Sequence, residues 1–434
     1  MRLKTWAAIG AALALPLLSG CGDDNAQKGF VRVVNATTEY TSLDLSTLNS
    51  DGGNDVVVSG TAANTASAYE GIDKGSYTFN VKSSTGTSAT TSVTGTVTKA
   101  DHFTVVTYVT GAATKTQFLS DEEANPASGN AKLRILNAAT SEAPSVDVYV
   151  TGSDCTALSV TDSAFASAVG STVTTYSQVT PSATTPYNVC VFAAGDTSTL
   201  LLDITGLVLK NQEIATLILT HTAGGVLLNG SVLDQQGAYT AYANTIARLR
   251  VVADAEAAAA VSVTVGSTPL AVGAPSPSVG EYMTVPVGAL SPTITISGTP
   301  VSGFTLPATA AGNDYTLLVT GNVGAPKATL ITDVNIPSTN LTSTVRVRVI
   351  NGLNNTSGAV SATIDGRPVG TASFGLASTY TNIPPSSGTS TVHVTTTGTQ
   401  PADLTSKTFT AGSVYTIFVY GDASAPTIAP FADR

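Results

Sequence analysis

The chain has 434 residues, a formal net charge of −10 and only 11% charged side chains. An acidic chain so sparse in Lys and Arg has no electrostatic footprint for nucleic acid or for an anionic lipid surface. Its length allows several cores of ordinary domain size, and its abundant Thr, Ser, Gly and Val is the composition of exported β proteins.

Residues 1–20 read as a secretory signal: basic Arg2 and Lys4, an apolar stretch from Trp6 to Leu18, and small residues ahead of Cys21. The apolar stretch is short for a membrane span. Leu18, Ser19, Gly20 and Cys21 together resemble the bacterial lipobox, which implies cleavage before Cys21 and lipidation of that cysteine, palmitate included. Several acyl chains, at ~0.8 kcal/mol per buried CH₂, hold a protein stably on a bilayer without crossing it. A membrane is therefore an expected partner through the anchor. Gly22 stands where an Asp favours inner-membrane retention, so the cell envelope's outer membrane is the expected address. Residues 21–28 form the lipidated cysteine and a polar tether. Loss of the signal removes Arg2 and Lys4, taking the charge from −10 to −12, and removes Trp6, the one tryptophan.

Four arginine-bearing apolar runs follow, around Arg32, Arg134, Arg250 and Arg348, spaced by about 100 residues. That is a domain period rather than a solenoid period. Alternation is clearest in the last: Val345, Val347 and Val349 share one strand face, and Arg346 and Arg348 share the other. A second alternating run comes next, as in Val146–Val150, Val261–Val265 and Val360–Asp365. Each repeat then places a tyrosine three residues before Ile or Val: Tyr69, Tyr176, Tyr282 and Tyr380. These are expected to pack structurally in each repeat's core, with the hydroxyl satisfied at a strand end. Two more strands follow, and each repeat ends on an acid: Asp121, Asp234, Asp333 and Asp433. The expected fold is all-β, with four tandem immunoglobulin-like β-sandwich domains at 29–128, 129–243, 244–341 and 342–434, because about seven short strands per 100 residues between Gly, Pro and Ser turns is a sandwich pattern. Cys155 and Cys190 fall inside the second repeat, and an even pair in an exported domain suggests a disulfide.

Ala131–Ala138 and Ala143–Gly152 resemble the bacterial repeat family known as domain of unknown function 4397 (DUF 4397). Ile364–Val369, Ala372–Gly375 and Tyr380–Ile383 resemble the following part of that domain, and Leu119–Pro126 resembles its acidic linker. Repeat one lacks the Ala-Pro-x-Val-Asp stretch, and repeat three has Ala253 where the others have Asn. The resemblance implies exported immunoglobulin-like domains on cell-surface proteins and supplies no catalytic residues.

No nucleophile elbow, zinc-protease pattern, P-loop or dinucleotide fingerprint stands in a supporting context. His102, His221 and His393 occupy different places in three repeats and are expected at the surface. No metal site is expected: residues 51–55 offer oxygen atoms but match no full calcium loop. The acids at 121–123 read as a solvated linker. With no tryptophan after the signal, sugar stacking would fall to Tyr40, Tyr149, Tyr239 and Tyr242. Asp254, Asp314 and Asp365 are the acids available to an enzyme, and nothing in the sequence brings them together. The expectation is a non-enzymatic, cofactor-free, lipid-anchored envelope protein, a structural or adhesive array reaching about 150 Å if its domains run end to end. The alternative is a module binding surface polysaccharide or a partner protein. An envelope enzyme stands last.

Overall fold

The computed structural model describes residues 27–434 except 49–53, 87–88, 112, 160, 183–184, 257, 323, 339–341, 355–357 and 397–401. The signal, Cys21 and most of the tether lie outside the described residues, as does most of the 51–55 segment. Among the described residues the elements from Lys28 on are β-strands apart from the 3₁₀ turn Cys155–Ala157, and the strands form eight sheets of four or five.

One pairing recurs four times, and we number the recurrences units one to four. In each, the first strand lies parallel to a late strand: Lys28–Asn35 with His102–Thr110, Ala131–Asn137 with Ile214–His221, Ile246–Ala255 with Asp314–Gly321, and Val345–Asn351 with Val414–Asp422. The register is equivalent each time, setting Val33 beside Val105, Ile135 beside Leu217, Val251 beside Leu317 and Val349 beside Ile417. Parallel neighbours need a long crossover. Here the crossover is the unit's other sheet, an antiparallel four-strand sheet built around Ser42–Leu48, Val146–Thr151, Ala260–Val265 or Val360–Ile364.

Each core lies between a unit's two sheets. In unit one Val31, Val33 and Val105 meet Leu43, Leu45, Phe79 and Val81. In unit two Leu133, Ile135 and Leu217 meet Val146, Val148, Val189 and Val191. Each such side chain contributes ~1.5–3 kcal/mol on burial. Cys155 and Cys190 form a disulfide that packs with Tyr149 and Phe192 on the outer face of that antiparallel sheet.

The first and late strands are buried on both faces, and the second face explains the assembly. Val34, Val106 and Tyr108 of unit one pack on Leu136, Ile218 and Leu233 of unit two. Val252, Leu318 and Ile331 of unit three likewise pack on Ile350, Phe418 and Tyr420 of unit four. An end-to-end run of four domains is therefore not what forms. The units pair face to face, and the two pairs meet end on. Thr222 donates to the Gly312 carbonyl at 2.7 Å, and the Asn335 amide donates to the Gly224 carbonyl at 2.8 Å. Gly312 has φ +70°, and a Cβ there would lie 2.4 Å from the Thr222 methyl, so only glycine allows this approach.

Candidate functional site

The four repeated arginines leave each parallel strand pair on the face that meets the neighbouring unit. Each Nε donates to the threonine beside it on the late strand: Arg32 to Thr104 at 2.8 Å, Arg134 to Thr216 at 2.9 Å, Arg250 to Thr316 at 2.9 Å and Arg348 to Thr416 at 3.0 Å. Each guanidinium lies over a repeated tyrosine, Tyr69, Tyr176, Tyr282 or Tyr380, with centroid distances of 4.6, 4.4, 4.5 and 4.8 Å. These tyrosines therefore cap the arginine face rather than the inter-sheet core of their own unit. Such contacts contribute ~0.5–2 kcal/mol where water is excluded.

The rest of each guanidinium crosses to the paired unit. Arg32 donates to the carbonyls of Gly237 at 2.6 Å and Asp234 at 3.0 Å, and Arg134 donates back to the Ser120 carbonyl at 3.3 Å. Between units three and four the exchange is ionic. Arg250 donates to Asp433 at 2.6 Å, and Arg348 donates to Asp333. Tyr282 and Thr316 each donate to Asp333 at 2.6 Å, and Thr416 donates to Asp433 at 2.6 Å. Burial alone pulls the arginines' pKa values down. The facing Asp433 and Asp333 carboxylates outweigh it, so Arg250 and Arg348 both sit above the ordinary arginine range and stay charged.

A second set of polar contacts closes one end of each pair. Glu39 of unit one meets His221 of unit two at 2.7 Å, and Glu142 of unit two accepts from the Gly111 amide at 2.8 Å. Between units three and four the Asn354 side-chain oxygen accepts from the Gly321 amide at 2.9 Å, and Asp254 accepts from the Gly421 amide at 2.8 Å. Asn354 also donates to the Asp254 carbonyl at 2.6 Å. Burial raises the Asp254 carboxyl to about 8, opposed only by the Gly421 amide.

Above this network lies a cleft of about 760 Å³ between units three and four, within the range of ligand sites. Its polar side chains are Glu256, Asn322 and Lys327 from unit three and Asn354, Asp422 and Thr427 from unit four. The Lys327 ammonium stands 5.1 Å from the centroid of Phe374, the aromatic of the lining. A hollow of about 130 Å³ between units one and two includes His221 in its wall.

Several expectations change here. Asp121 is not in a solvated linker: it is 2% exposed and accepts from Tyr69 at 2.5 Å and from Thr104. His221 is not at the surface, because unit one covers it. His102 bonds Glu122 at 2.9 Å and stacks on Phe30, whereas His393 pairs with Asp403 at an exposed position. Tyr149 is buried, and Tyr40, Tyr239 and Tyr242 are half-buried against apolar clusters, so none of the four offers an open ring. Asp254 and Asp314 lie at opposite ends of one strand pair, about 20 Å apart at 3.3 Å per residue. Asp314 is taken up by Arg248 at 2.6 Å, and Asp365 holds an exposed turn by accepting the Thr391 amide at 2.9 Å. Among the described residues no group of three or more His, Cys, Asp or Glu is placed to hold a metal. Sequence reasoning named Asp254 only as an acid available to an enzyme, and it missed Asn354 and the cleft. The one visible signal was that Ala253 replaces the repeat's Asn, immediately before an unmatched acid.

No curated protein matches the chain. Among solved structures it is similar to the Bacillus anthracis TIE protein at 11% identity and a TM-score of 0.15, over 88% of this chain and 68% of that one. It is similar to a candidate cell adhesion protein from Bacteroides eggerthii at 9% identity and a TM-score of 0.14, over 71% of this chain and 97% of that one. Likenesses this slight carry no argument, and the all-β fold stands on the strand pairing itself. Residues 29–149, which span unit one and the opening strands of unit two, match the family model described as domain of unknown function (DUF4397).

Proposed function

We propose that the chain is a non-enzymatic, lipid-anchored cell-envelope protein whose four β-sandwich domains, at 29–128, 129–243, 244–341 and 342–434, make a rigid structural or adhesive body. One observation carries this reading: between units three and four, buried ionisable groups hold one unit against the other. Arg250, Arg348, Asp333 and Asp433 answer one another across a domain face. A carboxylate or guanidinium bonded in this way is a docking element, and its geometry leaves no reacting atom a place beside it.

The anchor at Cys21 and the outer-membrane address belong to the same proposal. The test is protease digestion of intact cells against lysed cells, with Cys21→Ala run in parallel. Digestion of intact cells, together with release of the alanine variant into the soluble fraction, supports a surface-held adhesive body. Protection until lysis moves the role to a periplasmic scaffold. A native chain that stays soluble with Cys21 intact overturns the anchor.

A second reading has an observation of its own. The cleft between units three and four has the volume of a ligand site and is lined by both units, as expected of a binding module for a polysaccharide or a partner protein.

A further inference from the structure

In each unit the chain passes from the outer strand of the antiparallel sheet to the outer strand of the other sheet, and a lateral seam lies between the two. In unit one this seam is a groove of about 450 Å³ between residues 57–62 and 65–70. Both walls are sheet edges: Asn54–Ala62 ends one sheet, and Thr65–Ala66 and Glu70–Asp73 end the other. Such edges present main-chain donors and acceptors to whatever lies beside them. The corresponding outer strand is only four residues long in unit two, Ala166–Val169. It carries Pro269 and Pro275 in unit three and Pro368 in unit four. Asn54–Ala62 has nine residues and no proline, so nothing in its own sequence blocks a further strand.

Two side chains set this seam apart. In unit four the Thr381 hydroxyl donates to the Val369 carbonyl across the seam at 2.6 Å, and a Cβ on Gly370 would lie 2.5 Å from the Ser378 hydroxyl oxygen, so the walls touch. Thr381 follows Tyr380 as Glu70 follows Tyr69, and Glu70 is exposed. The other side chain is Thr61. It stands opposite Leu43, as Val169 stands opposite Val146, Ala274 opposite Val261 and Ala372 opposite Val360. The Asn35, Asn137 and Asn351 side chains donate to the carbonyls of Thr61, Val169 and Ala372, which marks the same place in three repeats. Facing residues of a strand pair turn to one side, so Thr61 turns inward with Leu43 and forms the floor of the groove. Three units have an apolar residue there. Unit one has a hydroxyl that is 6% exposed and whose oxygen has no hydrogen-bond partner. A buried hydroxyl left unpaired costs stability, and a strand laid in the groove supplies the missing partner.

We infer that the groove of unit one binds an extended segment of a partner polypeptide, added as a strand between residues 57–62 and 65–70, with a hydroxyl-bearing side chain set on Thr61. This site is separate from the cleft between units three and four. Strand addition takes its affinity from main-chain hydrogen bonds and its specificity from alternate side chains. The described lining carries no aromatic ring on which a sugar could stack and no cation for an anionic ligand.

The test uses the full chain and two peptides, Gly-Thr-Val-Thr-Gly amide and Gly-Ala-Val-Ala-Gly amide. An N-methylated form of the first and maltotriose are the controls. Amide NMR shifts at Gly60, Ala62, Ser67 and Glu70 are the readout. The threonine peptide should shift these resonances. N-methylation should weaken its binding about tenfold, and the alanine peptide should bind about fivefold more weakly. In Thr61→Val the threonine and alanine peptides should bind alike. Glu70→Thr restores the residue that closes the seam in unit four and should abolish the shifts. Both variants should otherwise keep the parent spectrum, because valine fills the position of Thr61 in unit two and Glu70 is exposed. Equal binding of the methylated peptide overturns the inference, as does a preference for threonine that Thr61→Val leaves intact. Shifts by maltotriose alone overturn it, and so does silence of the groove to both peptides at tens of millimolar. Broadening of these amides with protein concentration in the absence of peptide, with a dimeric mass by light scattering, assigns the groove to a second copy instead. The cleft between units three and four carries none of these resonances, so each result leaves the binding-module reading to be judged on its own.

Discussion

Arg250 of unit three donates to Asp433 of unit four at 2.6 Å, and neither side chain is exposed to solvent. Arg348 and Asp333 repeat the contact in the opposite sense. Two units of one chain thereby use the same two residues of the repeat as donor and acceptor, which is the self-complementary logic of a twofold interface.

Truncating one partner of such a pair leaves a charge buried without compensation. Asp433→Ala is expected to destabilise the chain by about 3–5 kcal/mol, whereas Arg250→Met combined with Asp433→Leu should cost far less. Urea titration of the three proteins checks this. A single variant within experimental error of the parent would sink the assignment.

The tyrosines are not equivalent in energy. Tyr282 donates to Asp333 at 2.6 Å, so Tyr282→Phe should cost about 1–2 kcal/mol. The Tyr380 hydroxyl makes no side-chain hydrogen bond, and Tyr380→Phe should cost clearly less. Thermal unfolding of both variants decides whether the hydroxyl or the ring over the arginine is what matters.

Asp254 gives a pH dependence opposite to the usual carboxylate. Its folded pKa is about 8, above an unfolded value near 3.9, so the native state holds the extra proton between them. Its contribution is fully present below about pH 4 and is lost as pH rises towards 8. The stability of Asp254→Asn relative to the parent should therefore rise across that window, by up to a few kcal/mol. Denaturant titrations at pH 5 and pH 8 should show this, and an identical difference at both would contradict it.

The disulfide closes a 35-residue separation inside unit two. Its loss in Cys155→Ser, Cys190→Ser should cost roughly 2–4 kcal/mol in the chain-entropy model. The loss should appear first in unit two, as faster hydrogen exchange in strands Val146–Thr151 and Tyr187–Ala193. Uniform loss across all four units would mean that the pairs unfold as one body.

Local patterning made much of the fold legible. The alternation of Val345–Val349, the acids Asp121, Asp333 and Asp433 and the pair Cys155 and Cys190 all carried information that neighbours in the chain can express. Burial of Arg32, Arg250 and Arg348 could not be read this way. Alternation marks which face a side chain leaves from, and it is blind to what covers that face. For the same reason His221 reads as a surface residue until Glu39 of another unit is set against it, and Asp121 reads as linker until Tyr69 and Thr104 reach it.

By itself, the sequence determined the strands, the period and the redox pairing, because hydrophobic alternation, turn residues and cysteine count act over short stretches of chain. Only the tertiary structure decided that the units pair face to face, that the repeated arginines face acids or carbonyls of a neighbour, and that a cleft lies between units three and four. Those outcomes depend on contacts between residues 15 to about 200 positions apart, such as Arg348 with Asp333 and Arg32 with Gly237. The free energy there comes from removing two surfaces from water together, and neither surface carries that information alone.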